Sequence, residues 1–480
     1  MAETDDVLQF LITAREWQTF ECKRAAVEPS KILESMVALA NSEGGLLVVG
    51  LEDPDKADGK KRLIGVSEGP DKVSELMNLM VKEITPPFPN IKDADVAIVN
   101  NRGAADILKV FVVERSTDVH SLKRGDTYLR RGRHNRKLTA EEIMRLKYAK
   151  GSIRYESEPV PDVKPQDLDQ TLLAKYQKYT GSTNQDIWQF LKDNGLTAEK
   201  EGQTFLNKAC VLLFSPNPAV SLHSKCSIKI SHYYGDKPNF SGEPNFVKRP
   251  FTIEGPLNLQ IQNAMQYFHE WLESSPPLLH GASFRRTRRY PEWVIQEAIA
   301  NAVIHRDYSL QDDVQLRIFD NRIEIESPGI LPGHVTISNI RRERFARNPI
   351  ILRTLNRFGE EAPNLDIGEG VDRMFKMMTE ANLYEPIYMP QAYSLNAVIV
   401  LLFNMERVSF WDTVSEYLDR HLYITNQQLR KITSIPDTLK ASRLLKGWTK
   451  QGLLEQVKRG GYKYTFYKKP GVKLDAGLFS

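Results

Sequence analysis

The sequence predicts a mixed α+β chain of several domains, and three observations lead there. Helical and strand-like patterns alternate through the first 150 residues and again through the middle of the chain. A Pro-rich stretch, SEPVPDVKPQ, separates those two regions. The last part differs in charge: from His421 to Ser480 twelve Lys/Arg face three Asp/Glu, although the 480-residue chain carries only +4, which leaves about −5 on the rest. A chain of this length supports two to four domains, each with its own core. The expected division is 1–150, a linker at 151–165, then 166–407 and 408–480.

The elements follow in order. Val7–Ile12 has helical spacing, and WQTFECK alternates as a strand does. Pro29 and Ser30 open an amphipathic helix through Leu33, Met36, Val37 and Ala40, which NSEGG stops before the apolar strand LLVVGL. A helix over 72–84 and strands near 95–99 and 107–113 come next. TAEEIMRL, with Thr139 and Glu142 placed as a capping box, closes the block. The middle region contains the long helix YPEWVIQEAIANAVIHRDY and the strand pair VQLRIFDNRIEIES, turning at Asp320-Asn321. Glycines recur in SPGILPG and IGEGVDRM. Beyond residue 408 come a helix to about Arg420, TNQQLRKIT, a turn at SIPD, a longer helix to Gly452 and a hairpin at Gly460-Gly461. Helix, helix, helix, hairpin is the order of a winged helix-turn-helix.

Composition narrows the function. With 41% hydrophobic and 26% charged residues the chain is ordinary for a soluble protein. No run of about 18 apolar residues or basic-then-apolar leader is found, so neither a membrane partner nor a secretory signal is expected. Cys22, Cys210 and Cys226 form no CxxC pair, and only Cys226 has nearby histidines, His223 and His232. That pattern suits a reducing cytoplasm rather than a disulfide scaffold or structural zinc.

The first candidate site lies in REWQTFECKR. Strand alternation puts Glu21 and Lys23 on one face and Glu16 on the other, unless the chain turns near residues 16 to 18. Glu52 and Asp53 end the apolar strand; beside the first strand, Asp53 could approach Glu21. Carboxylates at a strand end can hold Mg²⁺ or Mn²⁺ and activate water for phosphodiester cleavage. A solvated sheet edge, with Glu21 paired to Lys23 or Arg24, is the other reading. The run REWQTFECK, a helix, then ALANSEGGLLVVGLED resembles the divergent Alba-like domain of Schlafen proteins and their bacterial relatives, matching at Glu16, Glu21, Lys23, Asn41, Gly44, Gly45, Gly50 and Asp53. YLRRGRHNRKLTAEEI resembles the family's closing signature. The resemblance implies an α/β nucleic-acid domain, and Glu16, Glu21 and Asp53 stand where RNA-cleaving members carry catalytic, metal-binding acids, with Lys23 beside them. Lys31, Arg130, Arg131, Arg133 and Arg136 would then contact phosphate, the alternative being a solvated charged face.

The second candidate lies on the long helix. Glu297 and Asn301 are four apart and share a face that His305 continues. A glutamate can orient water, and an asparagine oxygen can ligate Mg²⁺ beside phosphates; otherwise these are polar residues on a wet face. No P-loop is present. QEAIANAVIHRDYS, the strand pair, RNPIILRTLNRFG and IGEGVDRM together resemble the RecG-related C-terminal domain, a branch of the GHKL ATPases with a Bergerat-type α/β sandwich. The resemblance implies ATP or another nucleotide as ligand, Glu297 and Asn301 as the water-orienting and Mg²⁺-binding pair, and Gly368 and Gly370 at a phosphate-facing lid. Ser327 and Gly329 of SPGILPG occupy the turn that usually reads adenine. Helicase motor motifs are missing.

The third candidate is the basic tail. Thr425 and Asp437 can cap its helices, with Leu439, Leu444, Leu445 and Trp448 expected in the core. Lys440, Arg443, Lys446 and Lys450 are left for an outer face that could enter a major groove, with Arg459 and Lys463 on the wing. A dimerisation module is the alternative. Together these readings give an ATP-binding, nucleic-acid-binding protein of the cytoplasm, self-associating by resemblance. Either it is a nucleotide-gated, metal-dependent endonuclease on RNA or single-stranded DNA with weak ATPase activity, or it is a non-catalytic, ligand-responsive transcriptional regulator.

Overall fold

A computed structural model describes residues 2–88, 91–274, 277–280, 283–286, 290–359, 362–363, 368–389, 397–407, 410–459 and 464–472. The fold is mixed α+β and multidomain. It divides into two compact units, Met1–Ile153 with Leu331–Thr336, and Arg154–Ile330 with Ile337–Leu474.

In the first unit, helix α1 (Ala2–Thr13) precedes strand β1 (Phe20–Lys23), helix α2 (Pro29–Asn41) and strand β2 (Gly45–Val49). Helix α3 (Pro70–Lys82) and strands β3 (Ile91–Val99) and β4 (Ala105–Val113) follow. The sheet order is β1-β2-β4-β3, with β1 parallel to β2 and the other pairs antiparallel. Strand alternation divides the core: Leu47, Val49, Phe111 and Val113 pack with Ile32, Leu33, Met36 and Val37 of α2, whereas Val48 and Leu108 pack with Leu11 and Ile12 of α1. Gly45 is required because a Cβ there would overlap the Thr19 carbonyl. Asn41, 1% exposed, gives its amide to the His120 and Tyr128 carbonyls and accepts from the His120 amide. It therefore fixes the segments at His120 and Tyr128 to the end of α2. Strands β5 (Tyr128–Arg131) and β6 (His134–Lys137) form a hairpin, and helix α4 (Ala140–Lys150) starts at the expected Thr139/Glu142 capping box.

The second unit is built on a six-stranded sheet. Its strands are β7 (Ile228–Tyr233), β8 (Phe246–Ile253), β9 (Val314–Ile318), β10 (Arg322–Pro328), β11 (Ile387–Tyr388) and β12 (Ala397–Phe403). They are ordered β8-β7-β9-β10-β12-β11, with only β7 and β9 parallel. Helices α5 (Leu257–Glu273) and α6 (Glu292–Ile304) bury Ile261, Phe268, Val294 and Ile295 against Ile230, Leu316, Ile325 and Leu402. Helix α7 (Gly370–Glu380) adds Met374 and Met378 to the same core. The Pro-rich stretch read as a linker is folded into this unit: residues 159–160 pair with Leu206 and Asn207, and Val160 and Val163 are buried.

Helices α8 (Trp411–Arg420), α9 (Asn426–Thr433) and α10 (Thr438–Lys450) precede the hairpin of β13 (Glu455–Arg459) and β14 (Tyr464–Lys468). Thr425 caps α9 with Gln428, and Asp437 caps α10. Trp411, Val414, Leu445 and Trp448 pack with Leu401 and Phe403, the residues of β12 that alternate with Val400 and Leu402. Leu439 is not in this core; it is 67% exposed, because two residues before Ala441 on a helix is nearly the opposite face. No helix among the described residues is long and apolar enough to cross a membrane. All three cysteines are free and buried.

Candidate functional site

The stretch 16–19 does not continue β1. Backbone hydrogen bonds between Trp17 and Phe20, 2.9 and 3.3 Å, close a tight turn. Glu16 is thereby folded back over the strand, and its Oε1 accepts from the Cys22 amide at 3.2 Å and the Cys22 thiol at 3.4 Å. The same oxygen lies 3.5 Å from Lys23 Nζ, which also forms an ion pair with Glu21 Oε1. Burial, which lowers the Lys23 pKa, is outweighed by Glu21 and Glu16, and the net shift is upward. The Cys22 thiol is pushed up to about 12 by burial and by Glu16.

Glu21 is 2% exposed, and both of its oxygens are engaged. Oε2 pairs with Arg130, and Oε1 accepts from Ser35 Oγ at 3.3 Å in addition to its Lys23 partner. Asn135 donates to Ser35 at 2.8 Å and accepts from Arg130 at 3.0 Å, closing a ring of polar contacts. Arg130 is interior, not a surface cation: its remaining N–H groups donate to the Trp17 and Phe20 carbonyls. It therefore positions Glu21 and has no N–H left to offer a phosphate.

Asp53 follows β2, and its Oδ1 accepts from the Asp55 amide at 2.8 Å, a local turn contact. The neighbouring Glu52 pairs with Arg24 at 3.3 Å, and Arg24 also pairs with Glu68. Among the described residues, no group of three or more His, Cys, Asp or Glu is arranged to hold a metal ion. Glu16 and Glu21 thus meet at Lys23, while no described contact joins Asp53 to them. In this arrangement the three carboxylates do not fit a divalent cation, because a lysine already stands between two of them.

Of the other cations, Lys31 pairs with Glu34 at 3.1 Å, Arg133 with Asp55 at 2.7 Å and Arg136 with Glu142 at 2.7 Å. Arg131 is exposed. On α10, Lys440, Arg443, Lys446 and Lys450 are all exposed, and none has an ion pair among the described residues. Arg459 ends β13, and Lys463 lies outside the described residues. Ser35, Asn135 and the buried Arg62, which donates to the Leu11, Ile12 and Glu52 carbonyls, carried no sequence signal of their own.

In the second unit, Asn301 Nδ2 donates to Glu297 Oε1 at 3.0 Å, as the four-residue spacing requires. This orients the amide and leaves Asn301 Oδ1 without a donor among the described residues. Glu297 also touches the first turn of α7, where a Cβ on Gly370 would overlap its carboxylate. Burial pushes the Glu297 carboxyl up, against the Asn301 hydrogen bond and Arg373. Gly368, at φ +69°, lies directly under the Arg344 side chain. Ser327 spends its hydroxyl on the Ala302 carbonyl at 2.7 Å, and Gly329 packs against Arg347 and Asp307.

His305 caps the C-terminal end of α6, its backbone amide donating to the Asn301 carbonyl at 3.0 Å. Its Nδ1 is buried with no hydrogen-bond partner among the described residues, and burial followed by Arg347 pushes its pKa down to about 4. An unfolded histidine takes a proton near pH 6.5, which the folded one refuses until about pH 4, so stability falls as pH falls through that window. Up to about 3 kcal/mol is expected to be lost there. Denaturant midpoints measured against pH for the wild type and for His305→Gln should diverge over this range, the variant showing the flatter profile.

Residues 16–139 match the family described as "Schlafen, AlbA_2". Residues 311–399 match that described as "Putative ATP-dependent DNA helicase recG C-terminal"; Ser327, Gly329, Gly368 and Gly370 lie inside this match, whereas α6 precedes it. No curated protein matches the chain. Among solved structures, the DIP2311 protein from Corynebacterium diphtheriae is 18% identical, with a TM-score of 0.41 over 98% of this chain and 96% of that one. The chain therefore joins a domain of the Schlafen AlbA_2 family to a domain of the recG C-terminal family.

Proposed function

We propose that this protein binds a nucleotide in its second unit and nucleic acid through its cationic surfaces, and acts as a nucleotide-responsive nucleic-acid-binding protein. The observation that carries the nucleotide half is the geometry of Asn301. Glu297 takes its amide group, its oxygen has no donor among the described residues, and the start of α7 lies against the same carboxylate. That donor set fits Mg²⁺ carried by a nucleotide, which when bound would neutralise phosphate oxygens. Asn301 would hold the ion, Glu297 would orient Asn301 and a water, and the backbone N–H groups at Gly368 and at Gly370, where α7 starts, would face phosphate, with the Arg344 side chain over Gly368 as a further cation.

The nucleic-acid half rests on the cations of α10, exposed and without an ion pair among the described residues, in a helix–helix–helix–hairpin order that fits a winged helix. Nuclease chemistry at Glu16, Glu21 and Asp53 has weaker support, since two of these carboxylates are neutralised internally and the third is engaged in its own turn. This favours the regulator reading over the endonuclease. Self-association and a cytoplasmic setting belong to the same proposal.

Calorimetry with a non-hydrolysable ATP analogue and Mg²⁺ tests the nucleotide site. Asn301→Ala is expected to weaken binding by about tenfold or more, equivalent to about 1.4 kcal/mol. Glu297→Gln keeps an oxygen for the Asn301 amide, so it should retain binding while lowering any turnover. Equal affinity in wild type and Asn301→Ala would remove this site from the proposal. A duplex-DNA mobility shift with and without the analogue tests whether the two activities are coupled.

A further inference from the structure

Chemistry that cuts phosphodiesters at paired carboxylates ordinarily uses them to hold a divalent ion. Here Glu16 Oε1 and Glu21 Oε1 converge on one point, and that point is taken by Lys23 Nζ, 3.5 Å from the first and ion-paired with the second. The Cys22 carbonyl accepts a further hydrogen bond from the ammonium at 3.2 Å. Lys23 thus has three oxygen partners from the same short stretch, as a small cation in an oxygen site would. We infer that Lys23 is a built-in counter-cation which occupies the metal position between Glu16 and Glu21 and keeps the site free of divalent ions.

Three features support this assignment. The two carboxylates come together only because the Trp17–Phe20 turn folds Glu16 back onto the strand, so the convergence is a property of the fold and not of the ammonium alone. Glu21 is held at its other oxygen by Arg130, and Ser35 donates to the oxygen that Lys23 also contacts; both partners remain to keep it in place if Lys23 leaves. The Lys23 side chain is 26% exposed, against 13% for Glu16 and 2% for Glu21, so of the three it has the widest way out to solvent. A divalent ion placed at the same point would gain one unit of charge over the ammonium and could complete its shell with water, as Mg²⁺ and Mn²⁺ commonly do with one or two carboxylates.

The test is Mn²⁺ titration followed by electron paramagnetic resonance, with no nucleic acid present. Wild type is expected to show no stoichiometric Mn²⁺ site. Lys23→Met should gain one site per chain, about tenfold or more tighter than any wild-type binding, and Lys23→Met/Glu16→Gln should lose it again. One Mn²⁺ per wild-type chain, removed by Glu16→Gln, would overturn the inference, as would a folded Lys23→Met that gains none. Lys23→Gln, whose neutral amide can still bond a carboxylate, carries the same comparison if the methionine variant does not fold. None of these readouts depends on nucleic-acid or nucleotide binding, so a failure here is separate from a failure of the proposed function.

Discussion

Replacing Glu21 by alanine is expected to destabilise the first unit by about 3–5 kcal/mol, whereas Glu16→Gln should cost no more than about 1 kcal/mol. The difference follows from what each carboxylate leaves behind. Arg130 is fully buried beside Glu21, and its other N–H groups are committed to Asn135 and to the carbonyls of Trp17 and Phe20. Without Glu21 the guanidinium has no counter-charge in a place water does not reach, and Lys23 loses its closest partner as well. Glu16 is nearer the surface, and an amide in its place still accepts from the Cys22 backbone. Hydrogen exchange reads the effect locally, because protection at β1 and β5 reports the opening free energy of those strands. Unchanged protection in Glu21→Ala would show that the Arg130 pair is not a structural tie. The practical consequence concerns nuclease assays: lost activity in a Glu21 variant alone would not distinguish a catalytic carboxylate from a missing brace. Glu16→Gln is the variant that separates the two.

What could be read from the sequence was what depends on neighbours along the chain. Glu297 and Asn301 meet because any helix brings residues four apart together, and the capping boxes at Thr139 and Thr425 are equally local. The strand pair at 314–328 followed from period and a turn. The first site was only half legible. Alternation placed Glu16 opposite Glu21, and the turn that reverses this is set by two backbone bonds between Trp17 and Phe20. Arg130 was read as a surface cation because its partner, Glu21, lies more than a hundred residues away, a distance no periodicity spans. The same holds for Arg62, which ties the end of α1 to Glu52. Leu439 is a different failure: its residue type suggested the core, but the spacing of Ala441, Leu445 and Trp448 already defined a face that excludes it. There the period was informative and the hydrophobicity was not.

That same period makes the tail testable. With Ala441, Leu445 and Trp448 turned inward, Lys440, Arg443 and Lys446 stand on the solvent side of α10 beside the exposed Leu439. A triple Lys440→Ala/Arg443→Ala/Lys446→Ala variant should fold normally, since none of the three is buried, and Lys440 has only a distant approach, 6.0 Å, to the Phe410 ring. Its binding to duplex DNA should fall, and the slope of log K against log salt should become shallower by about 2–3, roughly one counterion for each phosphate that is no longer neutralised. The slope is the discriminating quantity. A dimerisation surface would change the sedimentation behaviour of the variant and leave no such signature in DNA binding. A helix laid in a major groove loses affinity on every sequence, because phosphate contacts position the helix and carry no sequence information. If the slope and affinity both stay at wild-type values, the cations of α10 are a solvated face, and the nucleic-acid half of the proposed function would have to rest on the first unit alone.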